Sequence, residues 1–94
     1  MQLEDFIQSI KEETSPEVLS EPLQAMWHAR KGNLDKAHNI VQSISTELGS
    51  WIHAYLHRVE GDLSNADYWY KRAGKPPHLG STEAEANEIV NSIL

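Results

Sequence analysis

The sequence predicts an all-α protein of five to six short helices, arranged as two tandem helical hairpins closed by amphipathic terminal helices. Three observations predict it. Apolar residues recur at three- and four-residue spacing along most of the chain. No segment alternates with period two over a strand's length. An internal repeat with an offset of 29 residues joins helix to helix through the same Gly-polar-Leu turn.

The elements follow in order. Leu3, Phe6, Ile7 and Ile10 mark one face of a first helix. The run KEETSP ends it, because Pro16 disfavours helix at Ser15. Ser15-Pro16 and Ser20-Glu21-Pro22 can each open a new helical turn, with Ser as N-cap and Pro in the first turn. From Pro22, the residues Leu23, Ala25, Met26, Trp27 and Ala29 suit a helix ending near Gly32. Asn33 caps a third helix, whose stripe is Leu34, Ala37, Val41 and Ile44. Leu48-Gly49-Ser50 reads as its break. Ser50 then caps a fourth helix that carries Ile52, Tyr55, Leu56 and Val59 to near Gly61. Asp62 caps a fifth, with Leu63, Ala66, Trp69, Tyr70 and Ala73 inward. Gly74 suits a left-handed helix end, and Pro76-Pro77 cannot continue the helix. Thr82-x-x-Glu85 reads as a capping box before a last stripe of Ala86, Ile89, Val90, Ile93 and Leu94.

A chain of 94 residues is one domain. It divides into an N-terminal capping helix and linker (1–21), a first hairpin (22–47), a second hairpin (50–75), and a connector with a C-terminal capping helix (76–94). Fourteen acidic and eight basic side chains give a formal charge of −6, and there is no cysteine. That excludes a disulfide scaffold, a cysteine-ligated metal centre and a thiol nucleophile. It argues against nucleic acid as a partner, which needs positive charge to displace counterions. The charge is organised: −5 over residues 1–29, +2 over 30–75 and −3 over 76–94. The start MQLEDFIQSI carries acids where a secretory leader would be basic, and no run reaches the roughly 18 apolar residues of a membrane span. A cytoplasmic protein with no membrane contact is the expectation.

The two copies of the repeat are AMWHARKGNLDKAHNIVQ from Ala25 and AYLHRVEGDLSNADYWYK from Ala54. His28 meets His57, Gly32 meets Gly61, Asn33 meets Asp62, Leu34 meets Leu63 and Ala37 meets Ala66. The pattern Gly-Asp-Leu-x-x-Ala-x-x-x-Tyr-x-x-Ala, from Gly61 to Ala73, resembles the second half of a tetratricopeptide repeat. Ala54, Ala66, Tyr70 and Ala73 fall on that family's small and aromatic positions. Val41 and Ile44 depart from it in the first copy, and the offset is shorter than the family's period of about 34. The resemblance covers about residues 22–77 and implies stacked hairpins with a concave, peptide-binding side. The run WIHAYLHRVEGDLSNADYWYKRAGKP, residues 51–76, is similar to a group of small bacterial helical proteins without assigned activity. That likeness implies a fold and a cytoplasmic bacterial setting.

Trp51, Tyr55 and Arg58 share one face of the fourth helix, which in such a hairpin lines the concave side. Met26 and Arg30 occupy corresponding or adjacent places in the first copy, and Tyr68 is left partly exposed by the run Tyr68-Trp69-Tyr70. These six residues form the candidate partner-binding surface, through stacking and carboxylate pairing. The competing reading packs the aromatics beneath a terminal helix. His53 and His57, four apart, are a weak metal-ligand pair that needs a third ligand from Asp67, His28 or Glu60. The plainer reading hydrogen-bonds them structurally. His38 and His78 read as surface and loop residues. In Glu60-Gly61-Asp62, Asp62 is a helix cap before it is half of an acid–base pair. Lys71, Arg72 and Lys75 suit the negative end of the fifth helix or an acidic partner.

The function expected is a small helical-repeat module that binds a protein or peptide, with no catalytic residue and no cofactor. The alternatives are a metal-binding protein or small enzyme using His53 and His57, and a homodimer built on the apolar faces of the terminal helices.

Overall fold

A computed structural model describes residues 1–14, 16 and 18–94, and its regular structure is all helical. Among the described residues six helices follow in order: α1 (Leu3–Ser9), α2 (Glu21–Arg30), α3 (Leu34–Val41), α4 (Glu47–Val59), α5 (Leu63–Ala73) and α6 (Thr82–Ile93). The helical turn expected at Ser15-Pro16 lies outside the described residues.

The repeat is reproduced bond for bond. Gly32 and Gly61 take φ of +90° and +83°, a left-handed conformation that only glycine adopts without strain. Their N–H groups donate to Ala29 O and Arg58 O, both at 3.0 Å. The next residues, Asn33 and Asp62, donate to His28 O and His57 O, both at 2.9 Å. The same side chains then cap the following helices, accepting from the Lys36 and Asn65 N–H groups at 3.3 Å. α2–α3 and α4–α5 are thus two hairpins with one turn geometry. In the second, Ala54 and Ala66 are both buried, and their small size lets α4 and α5 approach closely.

Three boundaries differ from expectation. α3 ends at Val41, short of Ile44 and of the break expected at Leu48-Gly49-Ser50. α4 starts at Glu47, not after Ser50. Thr46 is its N-cap, accepting from Gly49 N at 3.1 Å. Gly49 is no breaker: a Cβ there would lie 2.2 Å from the Ile44 carbonyl oxygen, so glycine permits the loop to pass against the first turn. α6 is capped by Ser81 rather than Thr82, its hydroxyl accepting from Ala84 N at 3.0 Å. Glu85 is thus the fourth helical residue and not the third, one step of about 100° past the capping-box position. It faces the interior instead of reaching back to the cap.

Phe6 of α1, Met26 and Trp27 of α2, Val41 of α3, Ile52 and Leu56 of α4, and Ile89 and Val90 of α6 share one core. Ile7, Val59 and Leu63, expected inward, are exposed, because each helix buries a narrower stripe than its apolar content suggests. The terminal helices do not sit at opposite ends of the hairpin pair. α6 lies across α2 and α4, and α1 packs on α6. The apolar faces assigned to a homodimer are therefore buried within one chain: Phe6, Ala86, Ile89 and Val90 are each 0% exposed. Burying a side chain such as Ile89 stabilises the fold by about 1.5–3 kcal/mol, which fixes α6 in place. Among the described residues no helix is long and apolar enough to cross a membrane.

Candidate functional site

α4 presents polar residues in two directions. Trp51, Tyr55 and Arg58 point toward α6. There Trp51 and Arg58 meet the Glu85 carboxylate, which is 0% exposed. Trp51 Nε1 donates to Glu85 Oε2 at 3.1 Å, the Tyr70 hydroxyl donates to the same oxygen at 2.5 Å, and Arg58 Nη1 donates to Oε1 at 2.9 Å. Arg58 Nη2 also donates to the Gly80 carbonyl in the connector. Every partner is a donor, so the carboxylate is satisfied on both oxygens by groups from α4 and α5. Burial pushes the Tyr70 phenol well above its ordinary pKa, and its bond to Glu85 adds to the effect. Burial likewise raises the Tyr55 phenol.

This geometry places the six residues expected to bind a partner. Met26 and Tyr55 are buried, Trp51 and Arg58 are held by Glu85, and Arg30 Nη1 donates to Asn87 of α6 at 3.1 Å. Those five lie on α2 and α4, the two helices that α6 crosses. Tyr68 stands apart on the outer side of α5, where Arg72 donates to its hydroxyl at 3.2 Å. The aromatic–arginine face is thus covered by a helix of the same chain.

Beside Glu85 an open cleft of about 330 Å³ remains. Trp51, Pro76, Pro77 and Leu79 supply apolar walls, with Tyr70 and Glu85 at its base. Leu79 is 99% exposed. The Lys75 ammonium sits 4.2 Å from the centre of the Trp51 ring, a cation–π contact at the mouth. His78 accepts from Gly80 N through Nδ1 and pairs with Glu88 through Nε2 at 2.9 Å, closing the other rim.

The second direction of α4 gathers histidines. His53 is buried and stacks on Trp69 of α5, with ring centres 4.0 Å apart. His57 is stacked with it at 6.0 Å, and His38 of α3 approaches both, at 5.6 and 5.1 Å. Burial pushes the His53 pKa down to about 4, helped by the His38 and His57 rings, so His53 is neutral around pH 7. Glu60, at the C-cap of α4, reaches His38 Nε2 at 2.9 Å and His57 Nδ1 at 3.6 Å. The third partner sought for the histidine pair is therefore Glu60 for His57. His38, read as a surface residue, belongs to the cluster, while His53 supplies its inner wall. Neither His28 nor Asp67 joins the ligand group among the described residues. His28 stands edge-on to Trp27. Asp62 remains a cap, and two bonds from Asn65 hold its carboxyl below the usual pKa.

Sequence reasoning missed the roles of Glu85 and His38, while it set Tyr70 inward and offered Lys75 to an acidic partner. Glu85 had a signal: it stands four residues before Ile89, on the apolar stripe of α6. His38 had none, since its neighbours come from how α3 meets α4. Comparison of the chain with protein-family models, with curated proteins and with solved structures found no match.

Proposed function

We propose that this protein is a small helical-repeat interaction module that binds a short segment of a partner protein at the cleft beside Glu85. The hairpin pair is the tetratricopeptide-like part, and its first-helix side is taken up by α6. What remains free is the cleft at the edge of that side. One observation carries the reading: about 330 Å³ of open space walled by Trp51, Pro76, Pro77 and Leu79, with Lys75 at its mouth. That volume lies near the small end of ligand sites, about 300–1,000 Å³, and suits one or two apolar side chains. Prolines and a tryptophan form rigid walls that lose little freedom on binding. Lys75 suits a carboxylate next to the apolar anchor.

A display selection of random peptides on the folded chain tests this. The expected winners carry an aromatic or branched apolar residue beside Asp or Glu, and they quench Trp51 fluorescence. Lys75→Glu and Leu79→Asp, both at exposed positions, should each abolish capture without changing the helical circular dichroism. Equal enrichment on the double variant would remove the cleft as the docking point.

A further inference from the structure

A second site lies where the two hairpins meet, and it shares no residue with the cleft. His38 Nε2, His57 Nδ1 and a Glu60 carboxylate oxygen are three atoms of the kinds that zinc takes, all within 4.8 Å of one another. Zinc bonded at about 2.0–2.1 Å in a tetrahedron sets its ligands about 3.3 Å apart. The two separations to Glu60 bracket that value, at 2.9 Å and 3.6 Å. The two imidazole nitrogens lie within 4.8 Å of each other, so binding one ion requires that pair to close on it.

The scaffold suits a fixed site. His57 and Glu60 are three apart at the end of α4 and so share a face. His38 comes from the last turn of α3, which packs on α4. His53 and Trp69 form a stacked wall behind them. Two acidic residues stand at this end of α4. Glu60 is a ligand, and Asp62 follows two residues on, its N–H bonded to the His57 carbonyl at 2.9 Å. Arg58, the nearest cation along the chain, is turned away to Glu85 and Gly80. The Glu60 side chain is 39% exposed, which leaves an edge of the site open to water.

We propose that His38, His57 and Glu60 bind one zinc ion, or a divalent ion of similar preference, with water in the fourth position. Two imidazoles and one carboxylate with an open place are a donor set that zinc uses outside closed structural sites. The same imidazoles accept nickel or copper, whose affinity follows availability as much as ligand type. The repeat explains why the site occurs once. The counterparts of His57 and Glu60 are His28 and Lys31, and Lys31 is no ligand.

The test is titration calorimetry of untagged, chelator-stripped protein with zinc chloride at neutral pH. One zinc per chain is expected, with low-micromolar affinity and a rise in melting temperature. Loss of a residue that merely supports a ligand costs about 10–100-fold in affinity. His38→Ala, His57→Ala and Glu60→Gln should each cost at least that, while His28→Ala and His78→Ala should leave binding unchanged. Nitrogen-15 imidazole spectra of the wild type answer the same question without a variant. Zinc should shift His38 Nε2 and His57 Nδ1 and leave His78 in place. Absence of heat and of any melting shift overturns the site. So does equal affinity in His38→Ala, or an imidazole shift confined to other histidines.

Discussion

The two polar clusters on α4 are finished in opposite ways. The Glu85 cluster is closed: a carboxylate with no exposure accepts from Trp51, Tyr70 and Arg58, and α6 seals it. The histidine cluster is open: Glu60 alone serves both His38 and His57, and its side chain faces water. Both are built from polar residues at helix junctions within one small fold. The difference is whether the chain supplies all the partners. A saturated buried carboxylate spends its chemistry on holding helices together. An unsaturated group at the edge keeps ligand capacity.

The largest expected effect comes from opening the closed cluster. Glu85→Ala leaves the Arg58 guanidinium without its partner and two other donors without an acceptor. Removing one side of a buried pair costs about 3–5 kcal/mol. Arg58 is partly exposed, so about 3 kcal/mol is expected from urea denaturation, with α6 loosened first in hydrogen exchange. Replacing both members, Arg58→Met with Glu85→Leu, should recover part of the loss. If Glu85→Ala unfolds at the wild-type midpoint, the cluster is not what holds α6.

The next effect titrates the wall of the open cluster. His53 has a pKa of about 4 in the folded chain against 6.5 when unfolded. Between those values the unfolded chain binds a proton that the folded chain refuses. Stability is therefore full above about pH 6.5 and falls as the pH drops toward 4, by up to about 3 kcal/mol. Measured with a chelator present, His53→Phe should flatten that slope. An unchanged slope would place the acid sensitivity elsewhere.

The smallest effect compares the two turns. Alanine at Gly32 or at Gly61 must adopt a left-handed backbone, at about 1–2 kcal/mol each. Nothing lies near either missing Cβ, so the two costs should match. Only Gly61→Ala disturbs the segment that carries His57 and Glu60. It should weaken zinc binding, while Gly32→Ala should not. Unequal stability losses would mean that the turns are not equivalent despite their matching bonds.

Local features of this fold were legible in the sequence. The caps at Asn33 and Asp62, the left-handed Gly74 and the repeated turn each depend on a few neighbouring residues. Gly49 misled because its glycine answers a contact with the Ile44 carbonyl, not a helix break. Glu85 misled because a one-residue change of cap separates a surface carboxylate from a buried one. His38 was illegible, since the packing of α3 on α4 depends on the whole core. The aromatic–arginine face was visible as a group, with a partner and a terminal helix both readable as its occupant. The run Trp51, Tyr55, Arg58 reads the same whether a partner or α6 lies against it.

Arg58 and Trp51 hold α6 through residues that are made well before it. Synthesis proceeds from the N-terminus, so α2 and α4 leave the ribosome before α6 can lie across them. Until α6 follows, the nascent chain displays a greasy slot with a guanidinium at its edge. Apolar surface left open during folding invites aggregation, and the twelve residues of α6 are what cover it.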